Sequence, residues 1–231
     1  MSAPETGGVG WDVVMPARGS RPGLPAHVVF DCPGMPARAV PSAVGRRLAR
    51  LLREGKAPEA GERLDVVVDE LVDQCARERV EQLVSRRDYS AEELGTRLRR
   101  DGYPGDVVDR RVCRARESGV VDDARYAASF VRSKALAGWG RTKIERALAA
   151  RGVSLDALGD LSDELLSEDD ELARARELAE RRVRSGRGEL RSLVRFLCGR
   201  GFSPGVAYRA ARTALGDEEV TYNFLRTLTA E

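Results

Sequence analysis

Histidine is almost missing from this chain: His27 is the only one in 231 residues. Triad hydrolases and histidine-ligated metal centres need imidazoles for proton transfer or ligation. One ring in a Pro- and Gly-rich stretch leaves that chemistry nothing to build on. The four cysteines, Cys32, Cys75, Cys113 and Cys198, are far apart and form no C-x-x-C pair. That excludes a cysteine-paired zinc site and offers no disulfide framework. No apolar run approaches the roughly 18–20 residues that span a bilayer. Residues 1–10 carry neither the basic residues nor the apolar stretch of a secretory signal. The expected location is the cytoplasm. A glycine-rich phosphate loop ending in Gly-Lys-Ser/Thr and a G-x-S-x-G elbow are both missing. Gly7, Gly8 and Gly10 precede Trp11, but no strand leads into them, so they read as a flexible end. No catalytic activity, cofactor or metal is expected.

Lysine is scarce too. It occurs only at Lys56, Lys134 and Lys143, so 36 of the 39 basic residues are arginine. A proteome-wide replacement of Lys by Arg accounts for that ratio, and position says more. The formal net charge is only +2, yet Asp122–Val153 holds seven basic and three acidic residues, and Arg174–Arg212 eleven and three. Between them, Ser154–Glu171 holds eight acidic residues and no basic one. Basic blocks of this kind follow a phosphate backbone or an acidic protein face, or form a solvated helix face. The acidic block can face a basic partner or cap helices, and reads best as a solvated helix face.

Hydrophobic residues make up 42% and charged residues 33%, enough apolar material for a core. Residues 1–26 lack periodicity and read as a Gly/Pro-rich tail. Residues 27–63 read as a small hairpin around Cys32-Pro33-Gly34-Met35-Pro36, then a short helix opening near Ser42. From Leu64 onward the apolar residues recur at helical spacing. Ser90-Ala91-Glu92-Glu93 is a capping box.

A register then emerges. Gly102, Gly152 and Gly201 lie 50 and 49 residues apart. Leu98, Leu148 and Leu197 stand four residues before them, and Leu94, Ile144 and Leu193 eight before. Tyr103, Val153 and Phe202 follow one after, and Val108, Leu158 and Ala207 six after. A third helix precedes each pair, near 64–87, 122–137 and 168–185. The expectation is an all-α chain of three tandem three-helix repeats, 64–118, 119–166 and 167–215, with 216–231 as a tail or short helix. Units so short complete their cores by stacking, which implies an elongated, curved solenoid.

The middle repeat carries acidic-acidic-x-Arg-aromatic-Ala-x-x-Phe-Val-Arg from Asp122 to Arg132, a Gly-x-Gly-Arg turn at 138–141, Ile144, Leu148 and a closing Gly152-Val153. This pattern resembles the signature of the RecX family of recombination regulators. Residues 86–112 and 196–211 are similar to that family as well, and the resemblance spans about residues 70–215. It implies a non-enzymatic regulator without cofactor that binds the RecA recombinase filament; apart from the resemblance, nothing in the sequence suggests an obligate dimer, and a monomer is expected. Such a regulator restrains ATP hydrolysis, strand exchange and coprotease activity, and so modulates DNA repair, homologous recombination and the SOS response. The chain departs from the family over residues 1–60, which are longer and richer in Pro and Gly. Lys134 also stands where arginine is common, which keeps charge but loses bidentate geometry.

Tyr126, Phe130, Ile144 and Leu148 are spaced as core, with Gly102, Gly152 and Gly201 as structural stops. Trp139 either covers the helix pair beneath it or stands exposed as an interface anchor. Arg125 lies off the apolar face of its helix. Arg132, Lys134, Arg141, Lys143 and Arg146 form the densest basic set without matching acids, and contact to a partner or to phosphate is expected there. Arg182, Arg184, Arg187 and Arg191 extend that expectation to the third repeat. Aromatics are only 5% of the chain and are not interleaved with the arginines along the sequence. That favours charge-based contact over a base-stacking platform, with single- or double-stranded DNA as a further partner. The rival reading is a stand-alone DNA-binding protein with helix-turn-helix-like units.

Overall fold

The computed structural model of the chain describes residues 9–216 apart from positions 22, 33 and 160. Most of the expected tails, 1–8 and 217–231, lie outside the described residues. The chain forms two compact units, one up to Asp122 and one from Asp123 onward.

The first unit opens with a three-stranded antiparallel sheet in the order β1 (Trp11–Val14), β2 (Ala26–Phe30), β3 (Arg38–Val40). The sequence suggested a hairpin within 27–40 and a tail before it, so β1 is a correction. Local pattern could not reveal it, because Trp11–Val14 becomes a strand only through pairing with Phe30–His27. Trp11 is buried, and its indole N–H donates to Pro58 O at 2.8 Å. Helix α1 (Ser42–Arg53) packs on this sheet. Gly45 permits the approach: a Cβ there would lie 2.4 Å from Ala26 Cβ.

Three helices complete the unit: α2 (Glu62–Val84), α3 (Ala91–Arg100) and α4 (Gly105–Glu117). Leu64, Val68, Val72, Cys75, Ala76, Val80 and Leu83 bury one stripe of α2 against the others. Ser90 Oγ accepts from Glu93 N at 3.1 Å, as the capping box requires.

The second unit holds α5 (Asp123–Leu136), α6 (Arg141–Ala149), a 3₁₀ turn (Leu155–Leu158), α7 (Leu161–Leu165), α8 (Glu168–Arg184), α9 (Leu190–Arg200) and α10 (Pro204–Leu215). The helix expected after Ser154 is broken in two. Gly159 turns with φ of 53° between Leu158 and Leu161, where the other two repeats run on without a glycine.

The three glycine stops share one geometry. Gly102, Gly152 and Gly201 have φ of 91°, 69° and 94°, the left-handed region where a Cβ is costly. Tyr103, Val153 and Phe202 each donate their backbone N–H to the carbonyl five residues back, of Leu98, Leu148 and Leu197, at 3.2 Å. These are Schellman caps. The leucines are fully buried and the residues after the glycines nearly so. The register read from the sequence is therefore one repeated helix stop with its own apolar clasp.

Candidate functional site

Within the second unit the middle and third repeats meet backbone to backbone. Gly140 donates to Arg200 O at 3.0 Å and Thr142 to Gly201 O at 3.1 Å. A Cβ on Gly140 would sit 2.3 Å from the Gly201 carbonyl, so only glycine fits. The amide of Arg141 donates to Glu171 Oε1 at 2.8 Å. Glu171 is buried and thus satisfies the first turn of α6 from a neighbouring helix. Three more acids of the block serve α8 itself: Ser167 caps that helix, and Glu168, Asp169 and Asp170 fill its first turn.

This junction sets the basic residues. Trp139 is half-buried against the core of the middle repeat, so it covers the helix pair and keeps one accessible side. Lys143 Nζ lies 4.4 Å from its ring centroid and Lys134 Nζ 5.2 Å. Lys134 also lies 5.3 Å from Phe130, whose ring has the Arg151 guanidinium at 4.9 Å. Phe130 stacks on buried Tyr126 at 6.2 Å. Ile144 and Leu148 are fully buried beneath. A further ring, Phe196, is flanked by Arg182 at 4.4 Å and Arg200 at 5.4 Å. Arg200 Nη1 reaches back to Ala137 O at 3.4 Å, bringing this second group toward the Gly138-Trp139 turn. Cations and aromatics far apart in the sequence, such as Arg182 and Phe196, are thus brought together in space.

Arg141 needs correction too. Its Nε donates to Glu145 Oε1 at 2.9 Å, so it has a matching acid one turn along. Arg125 and Arg132 are exposed on α5. Arg146 is exposed and lines, with Thr142, Lys143 and Ser203, a cavity of about 450 Å³. Arg182 is half-buried by Phe196 rather than displayed, whereas Arg184, Arg187 and Arg191 are exposed around the α8–α9 turn. Among the described residues no carboxylate pairs with Arg132, Lys134, Lys143, Arg146, Arg184, Arg187 or Arg191.

The chemical consequence follows from the counter-group. A carboxylate holds a cation and cancels it; a ring face holds a cation by its quadrupole and leaves the charge intact, for about 0.5–1 kcal/mol at exposed sites. Lys134 and Lys143 are therefore oriented by Trp139 with their ammonium donors still able to meet phosphate or carboxylate oxygens. Among the described residues no cluster of His, Cys, Asp and Glu is set to hold a metal ion, and no helix is long and apolar enough to cross a membrane.

Comparison with known proteins matches this architecture repeat by repeat. The first three-helix domain of RecX matches residues 76–113, the second 122–157 and the third 168–211. The regulatory protein RecX of Thermobifida fusca is 36% identical over 151 residues, covering 62% of this chain and 80% of that protein. That of Halorhodospira halophila is 32% identical over 150 residues, covering 63% and 92%. A crystal structure of a regulatory protein RecX superposes with a TM-score of 0.56 at 19% identity, over 84% of this chain and 94% of that one. RecX from Lactobacillus salivarius gives 0.54 at 17%, over 62% and 96%. With the three domain matches in register with the three Schellman-capped helix pairs, the chain belongs to the RecX family of regulatory proteins.

Proposed function

We propose that this chain binds the filament of a RecA-type recombinase as a monomer in the cytoplasm. There it inhibits ATP hydrolysis, strand exchange and coprotease activity without catalysis of its own. Membership of a regulatory family supports this reading, and the observation that carries it is the cation set around Trp139. Lys134 and Lys143 keep their charge and are held in place, as contact with acidic protomer faces or DNA phosphates demands. Seating across neighbouring protomers obstructs filament growth by steric and electrostatic means.

The test is DNA-dependent ATP hydrolysis by the recombinase against increasing amounts of the full chain. Inhibition at stoichiometric ratio or moderate excess is expected, weakening as salt is raised. No inhibition at any ratio sinks the reading. Sequence-selective duplex binding at nanomolar affinity without recombinase, at physiological salt, would instead favour a stand-alone DNA-binding protein.

A further inference from the structure

The first unit holds a cavity of about 770 Å³ that the family models, which begin at residue 76, do not reach in full. Its walls are α1, the loop residues Pro16–Arg21 with Gly23 and Leu24, and the facing turns of α2 and α3. Seven arginines line it against two carboxylates, Glu78 and Asp101. Both carboxylates are already engaged. Glu78 binds Arg47, and that hydrogen bond holds its carboxyl below the usual carboxylate range. Asp101 is shared by Arg79 at 2.7 Å and Arg97 at 3.6 Å. The Nε of Arg97 is buried, and that 3.6 Å ion pair with Asp101 is too long for a hydrogen bond, so it makes none among the described residues.

The remaining cations form a stripe. Arg46, Arg50 and Arg53 recur at i, i+4 and i+7 on α1, so they share a face, and all three are exposed. Arg50 has Glu54 at 3.6 Å; among the described residues Arg53 meets the Ala49 carbonyl and no carboxylate. Arg46, and Arg21 on the loop, meet no carboxylate among the described residues.

The opposite wall is fixed in place. Ser42 Oγ donates to Leu24 O at 2.6 Å. Gly23 packs so closely that a Cβ there would lie 2.2 Å from Arg100 O. Pro16, Ala17 and Leu24 give that wall an apolar strip.

We propose that this cavity binds a polyphosphate group, as carried by a nucleoside triphosphate, with the phosphates on the Arg46–Arg50–Arg53 stripe and the nucleoside on the wall of Pro16, Ala17 and Leu24. Its size falls among small-molecule pockets, about 300–1,000 Å³. A single phosphate, at about −1.5 to −2 charges, leaves most of the arginine excess unanswered, whereas a polyphosphate chain answers it along the stripe. Arginine forks suit the oxygens. The site shares no residue with the cations around Trp139, so the two stand or fall separately.

Calorimetry on the full chain tests it, with inorganic tripolyphosphate, ATP, inorganic phosphate and a short oligothymidylate as titrants. Tripolyphosphate and ATP are expected to bind one per chain, at least tenfold more tightly than phosphate or the oligonucleotide. Arg46→Glu with Arg53→Glu, both exposed, weakens that binding at least tenfold; the milder Arg46→Ala weakens it severalfold. Lys134→Glu with Lys143→Glu leaves it unchanged. Equal binding by Arg46→Glu/Arg53→Glu and the parent, loss on Lys134→Glu/Lys143→Glu alone, or preference for the oligonucleotide overturns the proposal.

Discussion

The two units treat their cations differently. Up to Asp122, the basic side chains that tie elements together end on carboxylates: Arg38 on Asp65 and Asp69, Arg111 on Asp73, Arg79 on Asp101. Arg87, which lies over Tyr89, is paired with Glu93 as well. From Asp123 onward, Lys134, Lys143, Arg182 and Arg200 lie against ring faces instead. Both arrangements restrain long side chains, but a ring face, unlike a carboxylate, leaves the charge for a partner. A net charge of +2 therefore conceals two displays of cations, an exposed arginine stripe on α1 in the first unit and ring-held lysines in the second.

The difference depends on the second unit presenting its two repeats as one body, and Gly140→Ala attacks that directly. The new Cβ meets backbone at Gly201 and Phe202, which no rotamer change relieves. A loss of about 3 kcal/mol is expected from this overpacking. Urea unfolding followed by Trp139 fluorescence, in a Trp11→Phe background, measures it. An unshifted midpoint would mean that the junction is loose and the cation groups independent.

Alkaline pH sharpens the contrast next. The three residues that clasp the glycine stops are Tyr103, Val153 and Phe202, and only the first titrates. Burial pushes the Tyr103 hydroxyl from 10 up to about 12, and burial raises the Cys75 thiol beside it. The folded state holds the tyrosine proton more tightly than the unfolded chain does. Its contribution is thus complete below pH 10 and is lost as pH rises toward about 12. Roughly 2–3 kcal/mol disappears over that window, and Tyr103→Phe flattens the decline. Equal steepness in both proteins would refute the assignment.

Charge reversal then separates the two uses of a cation. Lys134→Glu with Lys143→Glu is expected to weaken inhibition of the recombinase at least tenfold, about 1.4 kcal/mol, with little change in melting temperature. Arg111→Glu sets two acids together at Asp73 and is expected to cost about 1–2 kcal/mol of stability, with inhibition by the folded fraction intact. If both variants lose binding, or both only stability, the distinction between the units fails.

What the sequence disclosed follows the range of the interactions. The glycine stops were legible because a Schellman cap is local: the glycine, the leucine four before it and the apolar residue after it lie within six positions. The first strand was not legible, since Trp11–Val14 acquires its partners some fifteen residues away. Nor was Glu171, whose burial and bond to the Arg141 amide join two repeats. The interleaved rings were half-legible. Phe130 and Lys134, like Phe196 and Arg200, stand four apart on one helix, a neighbouring pair on any helical surface. Trp139 with Lys143 needed the turn, and Arg182 with Phe196 needed the fold.

The smallest expected effect discriminates most finely. Trp139→Leu removes no charge, so a purely electrostatic partner contact would not notice it. If the ring matters by orienting Lys134 and Lys143, its loss frees two long side chains, and their ordering must then be supplied on binding. Each cation–π contact is worth about 0.5–1 kcal/mol at a partly exposed site, so inhibition is expected to weaken by roughly two- to fivefold. Trp139 also packs against the middle core, and a fall in stability alone would reduce the active fraction. Inhibition is therefore normalised to the folded fraction, and Trp139→Phe, which keeps a ring face with less core contact, is expected to recover most of the loss. Full potency in Trp139→Leu would show that the lysines need no orienting, and that their position on α5 and α6 suffices.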